Sequence, residues 1–189
     1  MRRPRPKGSA NEPIPPEKPQ QAPPAVVDQD QLRATAYHEA GHAVMAISVG
    51  RTVEKATVTP KKNMTGGLRL GTCHMGTGRS KASQSWIDDE VLILLAGMVA
   101  EARYTGKYCT RGAAEDLLAI RRLLEHRAGD ERQLERIQKR LLDKAEYLLS
   151  DAAHAQALEW VARELVERGT VSGKSVRHFF ELAIKRSES

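Results

Sequence analysis

Apolar residues recur at helical spacing along most of the chain beyond residue 30. With the capping residues between these stretches, the pattern predicts six helices, over about 31–49, 85–106, 112–129, 130–149, 151–168 and 172–185. Ser85 and Asp88 stand in capping-box relation at the start of the second helix, and Gly106 is placed to end it.

A different pattern follows the first helix. The alternating segment Val53–Thr59, stopped by Pro60, predicts a strand. Residues 61–66 predict a turn and 67–70 a partner strand, whereas the glycines at 71, 76 and 78 predict an irregular, mobile loop. We therefore expect a mainly α fold (α+β minor) of about six helices, with a small β-hairpin or sheet after the first helix.

The longest apolar run covers residues 91–100 and is bounded by acidic residues on both sides. Ten residues are too few to cross a bilayer, so this run predicts a buried core helix and no membrane insertion.

The first thirty residues differ in composition, because they hold eight of the nine prolines and few large apolar side chains. Such a segment buries too little surface to offset its ordering entropy, so we expect a disordered tail over 1–30 and one domain over 31–189. The tail has no apolar core of a secretory signal, and Cys73 and Cys109 form no C-x-x-C pair. A cytoplasmic protein with reduced thiols is the expectation.

The net charge of +6 is mild for this length, and aromatic residues make up 4% of the chain. No basic stripe alternates with aromatic residues. We therefore expect no nucleic-acid partner.

The segment with the clearest chemistry is His38-Glu39-Ala40-Gly41-His42, which has the form H-E-x-x-H. On a helix, residues four apart share one face, so both imidazoles can bind one zinc ion. Glu39 is then placed to take a proton from a zinc-activated water. This is the pattern of a metallopeptidase; the alternative is two surface histidines beside a helical glutamate.

Catalytic zinc usually takes a third protein ligand from elsewhere in the chain. The residues alone leave six candidates open: Asp116, Glu115, Glu101, Glu90, His74 and Cys73. By contrast, His126, His154 and His178 stand at no ligand spacing and are expected to be surface residues.

Several ordered blocks resemble the FtsH family of ATP-dependent zinc metallopeptidases. The blocks are residues 36–44 around the H-E-x-x-H motif, 53–60 with Gly67, 95–101 with Gly106, 112–117 and 168–173. The resemblance covers most of the chain from about Leu32 to Phe180 and implies that family's helical metallopeptidase domain.

The resemblance also implies roles for particular residues. The aspartate that completes the family's zinc site matches Asp116, so His38, His42 and Asp116 are the expected metal ligands and Glu39 the catalytic base. Glu101 ends the buried helix, where an isolated charge needs a partner, and we expect it to orient a ligand histidine.

The chain departs from the family pattern at three places. Arg111 and Glu115 add charges beside the expected metal site, and the 97–98 pair lacks the family's arginine. The 189 residues also contain no P-loop and no membrane span, which favours a peptidase domain without its own ATPase or anchor.

We therefore predict a zinc-dependent endopeptidase that acts on unfolded proteins, peptides or flexible segments, either alone or with a separate ATPase in trans. The alternative is a non-catalytic zinc-containing adaptor that binds a protein partner. The family forms hexamers, so an oligomer is left open.

Overall fold

A computed structural model describes residues 28–59, 61–62, 68–69, 71–83 and 85–188. The predicted tail over 1–30 lies almost wholly outside these residues, as does most of the predicted turn over 61–66. Within the described part of the chain the fold is mainly α, as predicted. Its helices are α1 (Gln29–Ser48), α2 (Trp86–Thr105), α3 (Ala114–Glu125), α4 (Glu131–Ser150), α5 (Ala152–Arg168) and α6 (Gly173–Ser187). Its strands are β1 (Arg51–Thr57), β2 (Lys61–Lys62), β3 (Leu68–Arg69), β4 (Thr72–Arg79) and β5 (Thr170–Ser172).

Local capping chemistry sets several helix ends. The Ser85 hydroxyl accepts the Asp88 backbone N–H, as the capping-box pattern predicted, and Gly106 ends α2 with a φ of 77°. Asp130 and Ser172 accept backbone N–H groups at the starts of α4 and α6. These contacts satisfy amides that the first helical turn leaves without partners.

Helix α1 lies at the centre of the molecule and packs against α2, α5, the sheet and α6. From Ala36 to Ile47 its residues are nearly all buried, so this half of the helix has no solvent-facing side. Helix α2 is buried from Val91 to Ala100 apart from the half-buried Leu94, as the apolar run predicted. No helix among the described residues has the length and apolar character needed to span a membrane.

The main sheet has three antiparallel strands in the order β4-β1-β5. The prediction that residues 67–70 pair with the first strand is wrong, because β3 pairs with β2 in a separate two-stranded sheet. The partner of β1 is β4, where Ala56 lies opposite Cys73. The expected mobile loop is thus a strand of the main sheet.

The glycines of β4 have a structural reason. A Cβ atom at Gly76 would lie 2.8 Å from Thr52 Oγ1 of the neighbouring strand, and Gly78 has a φ of 89°. In the sequence these glycines indicate a loop, but a glycine within a strand can also indicate that a neighbouring group approaches the backbone closely.

The sheet also decides where an extended substrate can pair. Strand β1 is the middle strand, with β4 on one side and β5 on the other, so it offers no free edge to a substrate strand. Strand β4 is an outer strand of this sheet.

Candidate metal centre

The buried half of α1 carries His38, Glu39 and His42, with exposed fractions of 9%, 4% and 5%. The two imidazoles stand one turn apart, with ring centroids separated by 4.7 Å and planes at 81°. Gly41 lies against α2, because a Cβ atom there would be 2.3 Å from the Ala96 carbonyl oxygen. This close approach of the two helices brings α2 groups to both histidines.

Each histidine is anchored through its Nδ1 atom. His42 Nδ1 lies 2.8 Å from the Ile93 carbonyl oxygen, and His38 Nδ1 lies 3.0 Å from Glu101 Oε2. A carbonyl oxygen only accepts hydrogen bonds, and so does an ionised carboxylate, so both Nδ1 atoms act as donors. In the neutral rings the lone pairs are therefore on the two Nε2 atoms, where a metal ion can bind.

Asp116, in the first turn of α3, brings its carboxylate to both Nε2 atoms. Its Oδ2 atom lies 3.0 Å from His38 Nε2 and 3.3 Å from His42 Nε2. One ligand atom from each of the three residues lies within 4.8 Å of the others, and all three residues are buried. His42 and Asp116, which are 74 positions apart in the sequence, thus lie next to each other.

His38 and Asp116 each shift the pKa of the other toward its charged form. Burial alone would lower the pKa of His38, but hydrogen bonds to Asp116 and Glu101 and the charge of Glu39 outweigh it and raise that pKa to about 9. Burial alone would raise the pKa of Asp116, yet its hydrogen bonds to His38 and His42 hold it well below the usual range. The cluster therefore stabilises positive charge on the His38 ring.

The space beside the Nε2 atoms is kept clear by Gly97 of α2. A Cβ atom there would lie 2.5 Å from His42 Nε2 and 2.8 Å from His38 Nε2. Two imidazole nitrogens and one carboxylate oxygen suit Zn²⁺, and three protein ligands leave a coordination position for water or substrate. The residues present fit a catalytic zinc ion.

Glu39 lies beside His38 and Asp116 in the wall of an open cleft of about 770 Å³. The cleft is lined by Gln31, Ala34, Thr35, His38, Glu39, Gly71, Glu101, Cys109, Arg111, Gly112, Ala114, Glu115 and Asp116. Gly71 lies close to the Glu39 carboxylate, because a Cβ atom there would be 2.5 Å from Glu39 Oε1. Burial, together with the Glu39 charge, raises the pKa of the nearby Cys73 thiol far above its usual value.

Comparison with known proteins agrees with this geometry. The family model for peptidase family M41 matches residues 25–129, more than half of the chain. The chain belongs to peptidase family M41.

Relatives of this M41 chain include proteins named ATP-dependent zinc metalloprotease FtsH. The protein from Mycoplasmopsis pulmonis is 36% identical over 95 residues, which cover 49% of this chain and 13% of the relative. That from Protochlamydia amoebophila is 32% identical over 95 residues, covering 48% and 10%. That from Syntrophotalea carbinolica is 28% identical over 160 residues, covering 79% and 24%. The matched region therefore spans a quarter or less of each relative.

In the M41 chain the other five candidates for a third ligand do not group with both histidines among the described residues. Glu90 pairs with Arg51 at 2.8 Å, and His74 and Cys73 are part of β4. Glu115 lines the cleft, and Glu101 contacts His38 through the Nδ1 atom, on the side away from Asp116. Among the described residues, Asp116 alone forms a metal-ligand group with the two histidines.

Two contributors to the site were missed by sequence reasoning. The Ile93 carbonyl that orients His42 is a backbone group and leaves no mark in the sequence. Gly97 did leave a mark, since a glycine inside an apolar helix indicates that another group approaches closely.

His154 is not the surface residue that we expected. Its Nε2 atom lies 2.8 Å from Ser48 Oγ, its Nδ1 atom lies 2.9 Å from Asp151 Oδ2, and its ring packs edge-on against Phe180. The order of groups resembles a serine-protease triad, but Ser48 is at the carbonyl end of α1.

The amides beside Ser48 are already engaged, because the Val49 and Gly50 N–H groups donate to carbonyls of α1. An oxyanion would find no free donor among these neighbours. The three residues therefore tie the end of α1 to the start of α5.

Proposed function

We propose that this chain is a zinc-dependent endopeptidase that hydrolyses peptide bonds in unfolded proteins and flexible segments. The observation that carries the proposal is the meeting of His38 Nε2, His42 Nε2 and Asp116 Oδ2 beside Glu39 in an open cleft. Membership of M41 and the names of the relatives support a zinc-dependent peptidase as the reaction class.

In this proposal His38, His42 and Asp116 hold the zinc ion. When bound, zinc supplies a Lewis acid that activates water and polarises the scissile carbonyl group. Glu101 and the Ile93 carbonyl keep each imidazole hydrogen on Nδ1, so both Nε2 lone pairs stay available.

Glu39 is the proposed general base. Its carboxylate takes a proton from the attacking water as the carbon–oxygen bond forms. It then gives that proton to the amide nitrogen, which leaves as an amine when the carbon–nitrogen bond breaks. Its position one residue after His38, in the wall of the same cleft, supports this role.

The geometry of the cleft supports an extended substrate. Residues 31–35 of α1 form one wall, and residues 109–116 form another. Strand β4 is at the edge of its sheet and begins directly after Gly71, which contacts Glu39. We propose that the substrate adds to β4 as an extended strand, with main-chain hydrogen bonds that any sequence can make.

An extended substrate must be unfolded or flexible where it binds. The 189 residues carry no P-loop signature, so the proposed reaction by these residues needs no nucleotide. We propose that folded proteins become substrates only if an ATPase unfolds them. The two cysteines are free, which is consistent with a reducing compartment such as the cytoplasm.

The test is cleavage of a labelled unfolded protein, such as casein, by the zinc-loaded chain without ATP. The Glu39→Gln variant is the matched control, because it keeps the zinc ligands and removes the base. We expect the native chain to cleave and the variant to bind zinc without cleaving. A Glu39→Gln protein as active as the native chain would contradict the role of Glu39.

The same experiment distinguishes a non-catalytic zinc-containing adaptor. That alternative predicts one zinc per chain and no cleavage by either protein. The presence of Glu39 in the cleft argues against it, since a structural zinc site requires no base.

A further inference from the structure

The cleft contains several acidic groups and one arginine. Glu39, Glu101, Glu115 and Asp116 all line it, whereas Arg111 is the one arginine or lysine among the described residues that do so. Apart from the metal site itself, a negatively charged group of a substrate therefore has this one cationic side chain to approach in the cleft.

The backbone around Arg111 is firmly held. The Ala113 N–H donates to the Cys109 carbonyl at 3.1 Å, and the Gly112 N–H lies 3.3 Å from Cys109 Sγ. Ala113 is 1% exposed and Asp116 is 9% exposed, so the segment is anchored just after Arg111. This anchoring fixes the arginine on the wall of the cleft beside the metal site, with its side chain exposed.

Two carboxylates of the cleft are engaged with the histidines. Asp116 interacts with His38 and His42, and Glu101 interacts with His38. Arg111 makes no ion pair or side-chain hydrogen bond with any residue that the structure describes. Its guanidinium group has five N–H donors in a fork that matches a carboxylate, so this cation is available for an incoming acidic group.

We propose that Arg111 is a specificity-determining residue that binds a carboxylate of the substrate. The carboxylate belongs to an aspartate or glutamate side chain, or to the substrate's C-terminus; the chemistry recognised is the same. The inference rests on the proposed peptidase function, because it places the substrate in the same cleft. Glu115 carries the opposite charge on the same wall and disfavours acidic groups that bind away from Arg111.

The first test measures binding apart from turnover, with the zinc-loaded Glu39→Gln protein and labelled peptides. In one set, a single glutamate is moved along an otherwise neutral peptide whose C-terminus is amidated. In a second set, the neutral peptide has either a free or an amidated C-terminus. We expect one glutamate position, or the free C-terminus, to tighten binding on the order of threefold to tenfold, as partly exposed ion pairs do.

Substitutions on the same Glu39→Gln background assign that preference. Arg111→Gln should abolish it, and Arg111→Lys should retain only part of it, because lysine keeps the charge but not the fork of N–H donors. Arg136→Gln removes an exposed arginine on α4, away from the cleft, and should leave it unchanged. The preference should also weaken at high salt, because exposed charges are screened. Circular dichroism and zinc content show whether each variant is folded.

Two results would overturn the proposal: equal binding of acidic and neutral peptides, or a preference that survives in Arg111→Gln. Cleavage of the same peptides by the native chain separates this failure from failure of the proposed function. If the native chain cleaves the peptides but no binding preference is found, only the proposed role of Arg111 is wrong. Preferential binding with no cleavage by the zinc-loaded native chain removes only the peptidase activity.

Discussion

A methyl group at position 97 tests the geometry of the metal centre with the smallest possible change. In Gly97→Ala, the new Cβ atom would lie 2.5 Å from both Cε1 and Nε2 of His42 and 2.8 Å from His38 Nε2. Ordinary van der Waals contact begins at 3.4 Å, so the His42 ring must move by about 0.9 Å. The His42 ring is hydrogen-bonded to the carbonyl of Ile93, which lies on α2 as Gly97 does. The ring therefore cannot move away from α2 without losing this hydrogen bond.

The expected effect is selective loss of zinc binding. Metal–ligand distances tolerate about 0.2 Å, which is well below the required shift. We expect zinc affinity to fall on the order of 100-fold, at the upper end of what changes around a metal ligand usually cost. The metal-free fold should be affected less than zinc binding, since alanine in a helix interior gains about 1 kcal/mol over glycine and offsets part of the cost of the lost hydrogen bond.

The assay is competition for zinc with a chromophoric chelator, together with thermal unfolding in the presence and absence of zinc. Gly41→Ala is the contrasting variant, because its Cβ atom would lie 2.3 Å from the backbone oxygen of Ala96. That clash separates α1 from α2 and should lower the melting temperature even without zinc. Native zinc affinity in Gly97→Ala would refute the inferred arrangement of the Nε2 atoms.

Four further predictions concern the metal centre and His154. Asp116→Ala should reduce zinc well below one per chain by elemental analysis, and full zinc occupancy in this variant would exclude Asp116 as a ligand. Glu101→Gln should weaken zinc affinity about tenfold to 100-fold without abolishing it. Because the pKa of His38 is raised to about 9, a proton competes with zinc below that pH, so zinc affinity should rise about tenfold per pH unit as pH 9 is approached and then level off. In the metal-free protein the same raised pKa gives stability that is complete below pH 6.5 and is lost as the pH rises through about 9, which urea unfolding against pH can check. His154→Ala should lower the free energy of unfolding by about 1–2 kcal/mol through the loss of its two hydrogen bonds, while peptide cleavage is kept; an inactive but stable variant would indicate a catalytic part for this residue.

The helices and their ends could be predicted because their signals are local. Ser85, Asp130 and Ser172 each cap the helix that follows, and Gly106 and Gly169 end helices with positive φ. A capping side chain bonds an amide two or three residues away, so the sequence window contains the whole interaction.

The sheet was harder to predict because its pairing depends on distant residues. Strand β5 has three residues and pairs with β1 more than a hundred positions earlier, where Ala56 lies opposite Val171. Strand β4 has two glycines and no clear alternation, so local pattern favoured a loop. These segments have a weak local preference for strand, and contacts with distant residues stabilise them as strands.

The candidate site was predictable only in part for the same reason. The spacing of His38 and His42 indicates a shared metal without further information. The contact between His38 and Glu101 joins residues 63 positions apart. The residues alone left six candidates for the third ligand, Asp116 among them. Family resemblance pointed to Asp116, and the structure now places that carboxylate against both rings. Zinc ligation by these residues remains a proposal that the variants above test.

The position of Asp116 at the start of α3 has a consequence for the mechanics of the molecule. His42 and Asp116 are 74 positions apart, so a shared metal ion closes a long chain loop much as a disulfide does. For a covalent cross-link of that length, the lost chain entropy of the unfolded state corresponds to roughly 4 kcal/mol. Such an ion would be a removable link between α3 and the packed helices α1 and α2. Chelation should release α3 first, and faster amide exchange in that helix would mark the opening of the cleft.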